Sequence, residues 1–204
     1  MKRILLAVII VSLVLFVAGS AAHAAGIGLY GTGGYSINFN PDSGALNAGG
    51  GMVIDTAVAR PGFGYRFKIG YEIWNVYYYV INNQGGFFEN KEKIKVYAGK
   101  LNMVHTFCID LVSNKQVKFW MGPLIHTGFL FWQGFGGANI GLGLGIGTNI
   151  HLHKVVSLLL DLEIRPGWLL RGTQGYYIHG GNVSFNGNVG VIFRFGNDQN
   201  NKKS

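Results

Sequence analysis

The chain has 204 residues, of which 33 are glycine, 13% are charged and 49% are hydrophobic; it has a single cysteine and a formal net charge of +8. At this length one domain is expected. The apolar content excludes a disordered chain, the absence of a three-residue glycine period excludes collagen, and the lone Cys108 excludes a disulfide scaffold. Glycine at this density opposes helix throughout, which leaves a β protein.

Met1, Lys2 and Arg3 precede an apolar run from Ile4 to Val17, and Ala22-His23-Ala24 gives a small-x-small pattern. This reads as a secretory signal peptide over residues 1–24, cleaved after Ala24, because the run is shorter than the ~20 residues of a spanning helix. Losing Lys2 and Arg3 lowers the formal charge from +8 to +6. The remaining basic residues are dispersed and form no nucleic-acid-binding motif. The domain reading is therefore a signal peptide (1–24), a β-barrel (25–195) and a polar C-terminal tail (196–204).

The mature chain alternates with period two, the signature of strands with two unlike faces. Near 27–39, Ile27, Leu29, Tyr35, Ile37 and Phe39 oppose Tyr30, Thr32, Ser36 and Asn38. A second strand is expected near 51–59, followed by a tight turn at Arg60-Pro61-Gly62. From Phe63, aromatic and aliphatic residues at odd positions oppose Arg66, Lys68 and Glu72. Near 96–111, Leu101, Met103, Phe107 and Ile109 oppose Lys100, Cys108 and Asp110. Phe119, Met121 and Ile125 then oppose Lys118, Trp120 and His126. Near 140–153, six aliphatics (Ile140, Leu142, Leu144, Ile146, Ile150 and Leu152) oppose a face that carries Gly141, Gly143, Gly145 and Gly147; these glycines make room for Trp120, His126 and Arg165 rather than forming a phosphate loop. Leu158, Leu160, Leu162 and Ile164 oppose Asp161, Glu163 and Arg165. Val183 to Phe195 closes the series, with Arg194 on the polar face.

Eight strands follow, with tight turns near Pro61, Asn114 and Lys154 alternating with longer loops over 40–47, 76–94, 130–137 and 169–182. That rhythm fits a closed antiparallel eight-stranded transmembrane β-barrel. A lipocalin-like soluble barrel would carry its charge outside. Here the polar face interleaves Asp55, Arg66, Lys68, Glu72, Lys100, Asp110, Lys118, Asp161, Glu163, Arg165 and Arg194 with glycine. Near-balanced charge of this kind suits a narrow interior in which charges pair and close the lumen to ions.

The last strand, Asn188-Val-Gly190-Val-Ile-Phe193-Arg-Phe195, reads polar-x-Gly-x-x-aromatic-x-aromatic. It looks like the signal by which bacterial outer-membrane barrels are handed to their assembly machinery, although a polar tail follows it here. With the signal peptide and strand count, the chain resembles the small outer-membrane β-barrel superfamily (OmpA-transmembrane-domain-, OmpX- and OmpW-like). The resemblance implies residence in a bacterial outer membrane, with its lipid, its lipopolysaccharide and the barrel-assembly machinery as partners. It implies no particular activity and no cofactor.

Other motifs read as packing or solvation. Gly26-x-Gly28-x-x-Gly31 lacks the strand before and helix after that a dinucleotide site needs. His126, His151, Ser157, Asp161 and Glu163 share the inward parity, which keeps a lipopolysaccharide-modifying enzyme as an alternative. His151 and His153 lack a third metal ligand. Cys108 reads as a small buried thiol, and His105 falls on the lipid-facing register unless a bulge moves it. The alternating charges of 89–95 read as a solvated loop. Phe131, Trp132 and Phe135 form an aromatic loop tip that is a candidate surface contact. The expected function is that of a non-enzymatic outer-membrane barrel with a structural or loop-mediated binding role, the further alternative being OmpW-like passage of small hydrophobic molecules.

Overall fold

A chain with one apolar face per strand hides its backbone by pairing, and in hydrocarbon the sheet must close because an open edge leaves N–H and C=O groups unpaired. The computed structural model describes residues 25–39, 42–56, 62–82, 90–132, 135–173 and 176–195. The proposed signal peptide and the polar tail lie outside the described residues. Among the described residues run eight strands: β1 (Gly26–Phe39), β2 (Asp42–Asp55), β3 (Phe63–Asn82), β4 (Asn90–Ser113), β5 (Val117–Trp132), β6 (Phe135–His153), β7 (Val156–Thr173) and β8 (Tyr176–Arg194). Each is antiparallel to the next, and β8 pairs with β1 to close the barrel.

Following hydrogen-bonded partners from Gly28 through Val53, Lys68, Val104, His126, Gly141, Gly167 and Asn182 leads back to β1 at Asn38, ten residues along. That stagger tilts the strands by about 40° from the axis, and eight strands leave a lumen only as wide as the side chains that fill it. The two faces separate cleanly. Leu29, Phe63, Leu142 and Leu162 are each at least 65% exposed on the outside, whereas Arg66, Lys68 and Trp120 are wholly buried inside. Aromatics mark both rims of the outer band. Phe63, Phe193 and Phe195 stand at the near end, where Phe195 N–H donates to Ala25 O at 2.7 Å, and Phe39, Tyr97, Phe131 and Trp168 stand toward the far end.

The strands are longer than the sequence suggests, from 14 to 24 residues, against about 9–11 for a tilted membrane crossing. β2 starts at Asp42 rather than near 51, so most of the expected 40–47 loop is strand, in register with β1 from Phe39↔Asp42. Ser43, Ala45 and Asn47 alternate inward there and are buried. They are small, and two of the three are polar, which hides the alternation. β2 ends at Asp55, and residues 57–59 of the expected extension lie outside the described residues. The same correction applies to 76–94, 130–137 and 169–182, where strands run on to leave only residues 83–89, 133–134 and 174–175 between them. Beyond the apolar band a strand has no lipid to face, so the hydrogen-bond ladder persists after the hydrophobic period has faded. The contrast between short turns at one end and long loops at the other is therefore weaker than expected.

His105 stays on the outer face. The β3–β4 ladder runs unbroken from Phe63↔Ile109 to Asn82↔Asn90, and no bulge turns the imidazole inward. Its Nδ1 lies 2.6 Å from the Tyr65 hydroxyl, with its ring centroid 5.0 Å from that of Phe67, so the ring is only 7% exposed. A hydrogen bond under an aromatic cover is what makes this residue tolerable in an apolar belt. Tyr65→Phe should destabilise the barrel by about 1–2 kcal/mol through loss of that partner. His105→Phe should be close to neutral, both measured as urea unfolding midpoints of vesicle-inserted protein.

Candidate functional site in the barrel lumen

Inward charges join into one ladder across the lumen. On β3, Arg66 Nε donates to Asp55 Oδ2 on β2 at 3.0 Å, and its Nη2 donates to Asn149 Oδ1 on β6 at 2.9 Å. Arg66 also reaches Asp161 on β7 at 3.4 Å. Two residues along, Lys68 Nζ lies 3.1 Å from both Asp161 oxygens and 2.5 Å from Glu163 Oε1. Arg165 Nε donates to Glu163 Oε2 at 2.8 Å, and its Nη1 reaches Glu72 Oε1, back on β3, at 3.3 Å. Glu72 further accepts from Trp74 Nε1 at 2.9 Å and from Asn102 Nδ2 at 2.8 Å. Lys100 Nζ stands 4.6 Å from the centroid of that same Trp74 ring. The sequence rule explains the convergence: i and i+2 share a face, so 66, 68 and 72 on β3 confront 161, 163 and 165 on β7.

Two of the expected charges pair with each other apart from this ladder, and one is held at the near rim. Lys118 binds Asp110 at 3.0 Å near the near end. Asp110 Oδ2 also accepts from Gly62 N–H at 2.8 Å, fixing a turn in which Gly62 adopts φ 108°, a conformation that favours glycine. Arg194, by contrast, is the last residue of β8 and donates to the backbone carbonyl of His153. Strand parity points it inward, and at the rim it meets the last carbonyl of β6.

The wall opposite the ladder is built from the glycine alternation of β6. Trp120 pairs with Gly147, Leu124 with Gly143 and His126 with Gly141. A Cβ on Gly147 would lie 2.7 Å from Trp120 Cζ2, and one on Gly143 would lie 2.9 Å from Leu124 Cδ1. Room is thus made for Trp120 and His126, as the sequence suggests, and for Leu124, while Arg165 turns to Glu163 and Glu72 instead. Arg66 in turn sits over the Trp120 ring, with its Cζ 4.3 Å from the ring centroid. His126 Nε2 lies 3.0 Å from the Pro166 carbonyl, and His151 Nδ1 lies 2.8 Å from Ser157 Oγ. Asp161 and Glu163 do not join either histidine, being held by Lys68. Cys108 is buried.

Two apolar clusters bound the ladder: Tyr30, Val53, Leu159 and Ile192 toward the near end, and Ala45, Trp74, Val76 and Ala98 toward the far end. Sequence reasoning missed Trp74, Asn102 and Asn149 as members of the network, although each sits on the parity of its charged neighbours. In the last strand, Asn188 points inward and donates to Asp161, whereas Phe193 and Phe195 are more than half exposed at the rim. The expected aromatic loop tip is not a loop. Trp132 and Phe135 are paired strand residues and Phe131 faces outward, 55% exposed; the side chains of Trp132 and Phe135 lie outside what is described.

No protein-family model matches the chain, and no curated protein matches it. Among solved structures it is similar to the outer membrane protein OprG from Pseudomonas aeruginosa, with 10% identity over 86% of this chain and 99% of that one, at a TM-score of 0.52. It is also aligned with Neisserial surface protein A, NspA (13% identity, 84% and 99% covered, TM-score 0.45), and with Ail, the attachment invasion locus protein of Yersinia pestis (12% identity, 85% and 99% covered, TM-score 0.43). The fold is that of the small eight-stranded outer-membrane β-barrels.

Because the ladder is buried, its members should be strongly coupled. Lys68→Met and Glu163→Gln should each cost about 3–5 kcal/mol by stranding partners. The double variant should cost clearly less than their sum, read from urea unfolding in detergent. Gly147→Val should cost about 1–3 kcal/mol by overpacking against Asp161, the Leu160 carbonyl and Trp120.

Proposed function

We propose that this chain resides in a bacterial outer membrane, exported behind the signal peptide at 1–24. In this reading it is received by the assembly machinery through Asn188, Gly190, Phe193 and Phe195. It works there as a closed, non-enzymatic barrel whose contacts with other molecules lie at its rim, the near end facing the periplasm. The ion-pair ladder from Asp55 to Glu72 carries this reading, because it occupies a lumen with no width to spare. The histidines also fit it. Ser157 is wholly buried beside His151, and His126 is 1% exposed, so neither presents a nucleophile or base to a lipid substrate.

A second reading, passage of small hydrophobic molecules toward the far end of the lumen, is favoured by one observation. Trp74, Val76, Ala45 and Ala98 form an apolar lining there, joined on the same inward face by Leu130 and Leu169.

Planar-bilayer recordings should show no large, stable, nonselective conductance. Lipid A from cells with and without the protein should have the same masses, and His126→Ala should leave them unchanged. A mass change abolished by that substitution would replace the first reading with an enzymatic one. Uptake of a small apolar dye into protein-loaded vesicles, lowered by Ala98→Trp, would favour the second.

A further inference from the structure

Lys100 is the ladder's exception. It is 1% exposed, yet among the described residues no ion pair or hydrogen bond reaches its ammonium, which stands 4.6 Å from the centroid of the Trp74 ring. Glu72, its partner across the β3–β4 ladder, gives its oxygens to Arg165, Trp74 and Asn102. An aromatic face offsets part of the cost of burying a cation, but it supplies no lone pair for the three N–H donors. β5 makes way for the side chain, since a Cβ on Gly128 would overlap Lys100 Cε. Other polar atoms at this level also lack partners. The ten-residue stagger, a little over one residue per strand, brings Asn47 of β2, Trp74, Lys100, Leu130 of β5, Asn139 of β6 and Leu169 of β7 to one height. Both amide atoms of Asn47 and the Oδ1 of Asn139 have no hydrogen-bond partner among the described residues, although both side chains are buried. Asn47 pairs with Trp74 from the β2 side, and either orientation of its amide leaves a donor there. Buried polar groups are normally satisfied, and the ion pairs below this level are.

Small-molecule sites combine apolar walls with a few convergent polar groups, and this layer has both. Leu130 and Leu169 supply the wall, at the height of Trp74 and Ala98. Charge decides what the polar groups take. Inside the lumen Arg66, Lys68, Lys100 and Arg165 balance Asp55, Glu72, Asp161 and Glu163, and Lys118 balances Asp110. An anion drawn to Lys100 would leave one negative charge uncompensated in a narrow interior, and a cation would be repelled by the ammonium. A pure hydrocarbon would leave the ammonium without an acceptor. A neutral acceptor satisfies the lysine and keeps the balance. We infer that the far layer of the lumen binds a small neutral molecule with an apolar body and a carbonyl oxygen. The oxygen accepts from Lys100 Nζ, with Asn47 on the other side of Trp74 as a second donor, and the body lies against Leu130 and Leu169. This rests on the second reading above, and it narrows hydrophobic passage to one chemical class: ketones, esters and amides of apolar groups.

The test uses the full chain in phosphatidylcholine nanodiscs and three probes of like size: para-fluoroacetophenone, para-fluoroethylbenzene and para-fluorobenzoate. Equilibrium dialysis against matched empty nanodiscs, read by fluorine NMR, gives the protein-bound fraction, and heat-dependent gel migration checks barrel closure. The wild type should bind the ketone about tenfold more tightly than the hydrocarbon, the difference that one hydrogen bond from a charged donor makes, and the carboxylate most weakly. Lys100→Met should bring the ketone down to the hydrocarbon's affinity and leave the hydrocarbon unchanged. It should still close, because Glu72 keeps its three direct partners. Ala98→Trp should weaken ketone and hydrocarbon alike. Equal wild-type affinity for ketone and hydrocarbon, tightest binding of the carboxylate, or a ketone preference that survives Lys100→Met would overturn the carbonyl site and leave the apolar reading standing. No binding of any probe above that of empty nanodiscs would overturn both. The wild-type comparison decides by itself, so a variant that fails to close does not shield the proposal.

Discussion

A lumen no wider than its own side chains is the constraint on which the molecule depends. Eight strands staggered by ten residues admit no column of bulk water to solvate a charge, so each inward ionisable group has to meet its opposite within the barrel. β3 and β7 supply most of them and lie across the lumen from one another. Arg66, Lys68 and Arg165 therefore act as braces between strands that share no backbone hydrogen bonds. The backbone ladder holds neighbours together, and the charges hold opposite walls at a fixed register. A one-residue slip of β7 would send Asp161 and Glu163 into lipid and Leu160 and Leu162 into the lumen.

Packing on the other wall follows from the same shortage of space. Where β5 turns Trp120, Leu124 and His126 inward, β6 answers with glycine at each paired position. The cation over Trp120 then links the two halves of the interior, because Arg66 belongs to the ladder and the indole to the glycine wall. Outside, the demand is reversed: the surface has to be apolar, and the His105 imidazole within the band is tied to Tyr65 and covered by Phe67.

The architecture was legible because lipid and lumen impose opposite chemistries on adjacent residues. The run from Ile140 to Leu152 could hardly be anything but a strand with a crowded inner face, and the inward parity of Asp161, Glu163 and Arg165 could be read directly. Which cation each of them meets could not, since that depends on the stagger summed round the whole barrel. Strand ends were also hidden. Ser43, Ala45 and Asn47 look like a turn because small polar residues serve both turns and barrel interiors. The far segments of β4 and β7 lose their apolar alternation on leaving the band, and those of β3 and β8 carry aromatic and aliphatic residues at both parities. Arg194 shows the limit of parity alone, for the partner it meets at the rim is a strand-end carbonyl that the alternation does not reveal.

The distribution of ladder charges along the chain bears on which strands the barrel can spare. β1 to β6 hold three of the ladder's cations, Arg66, Lys68 and Lys100, against only Asp55 and Glu72. β7 brings two acids and one base, and with it the ladder balances at four of each sign. A sheet without β7 would therefore hold an excess positive charge as well as an open edge. Neutralisation and closure both wait on the full set of strands, which makes a partial barrel a poor resting state in lipid and the complete one a single cooperative unit.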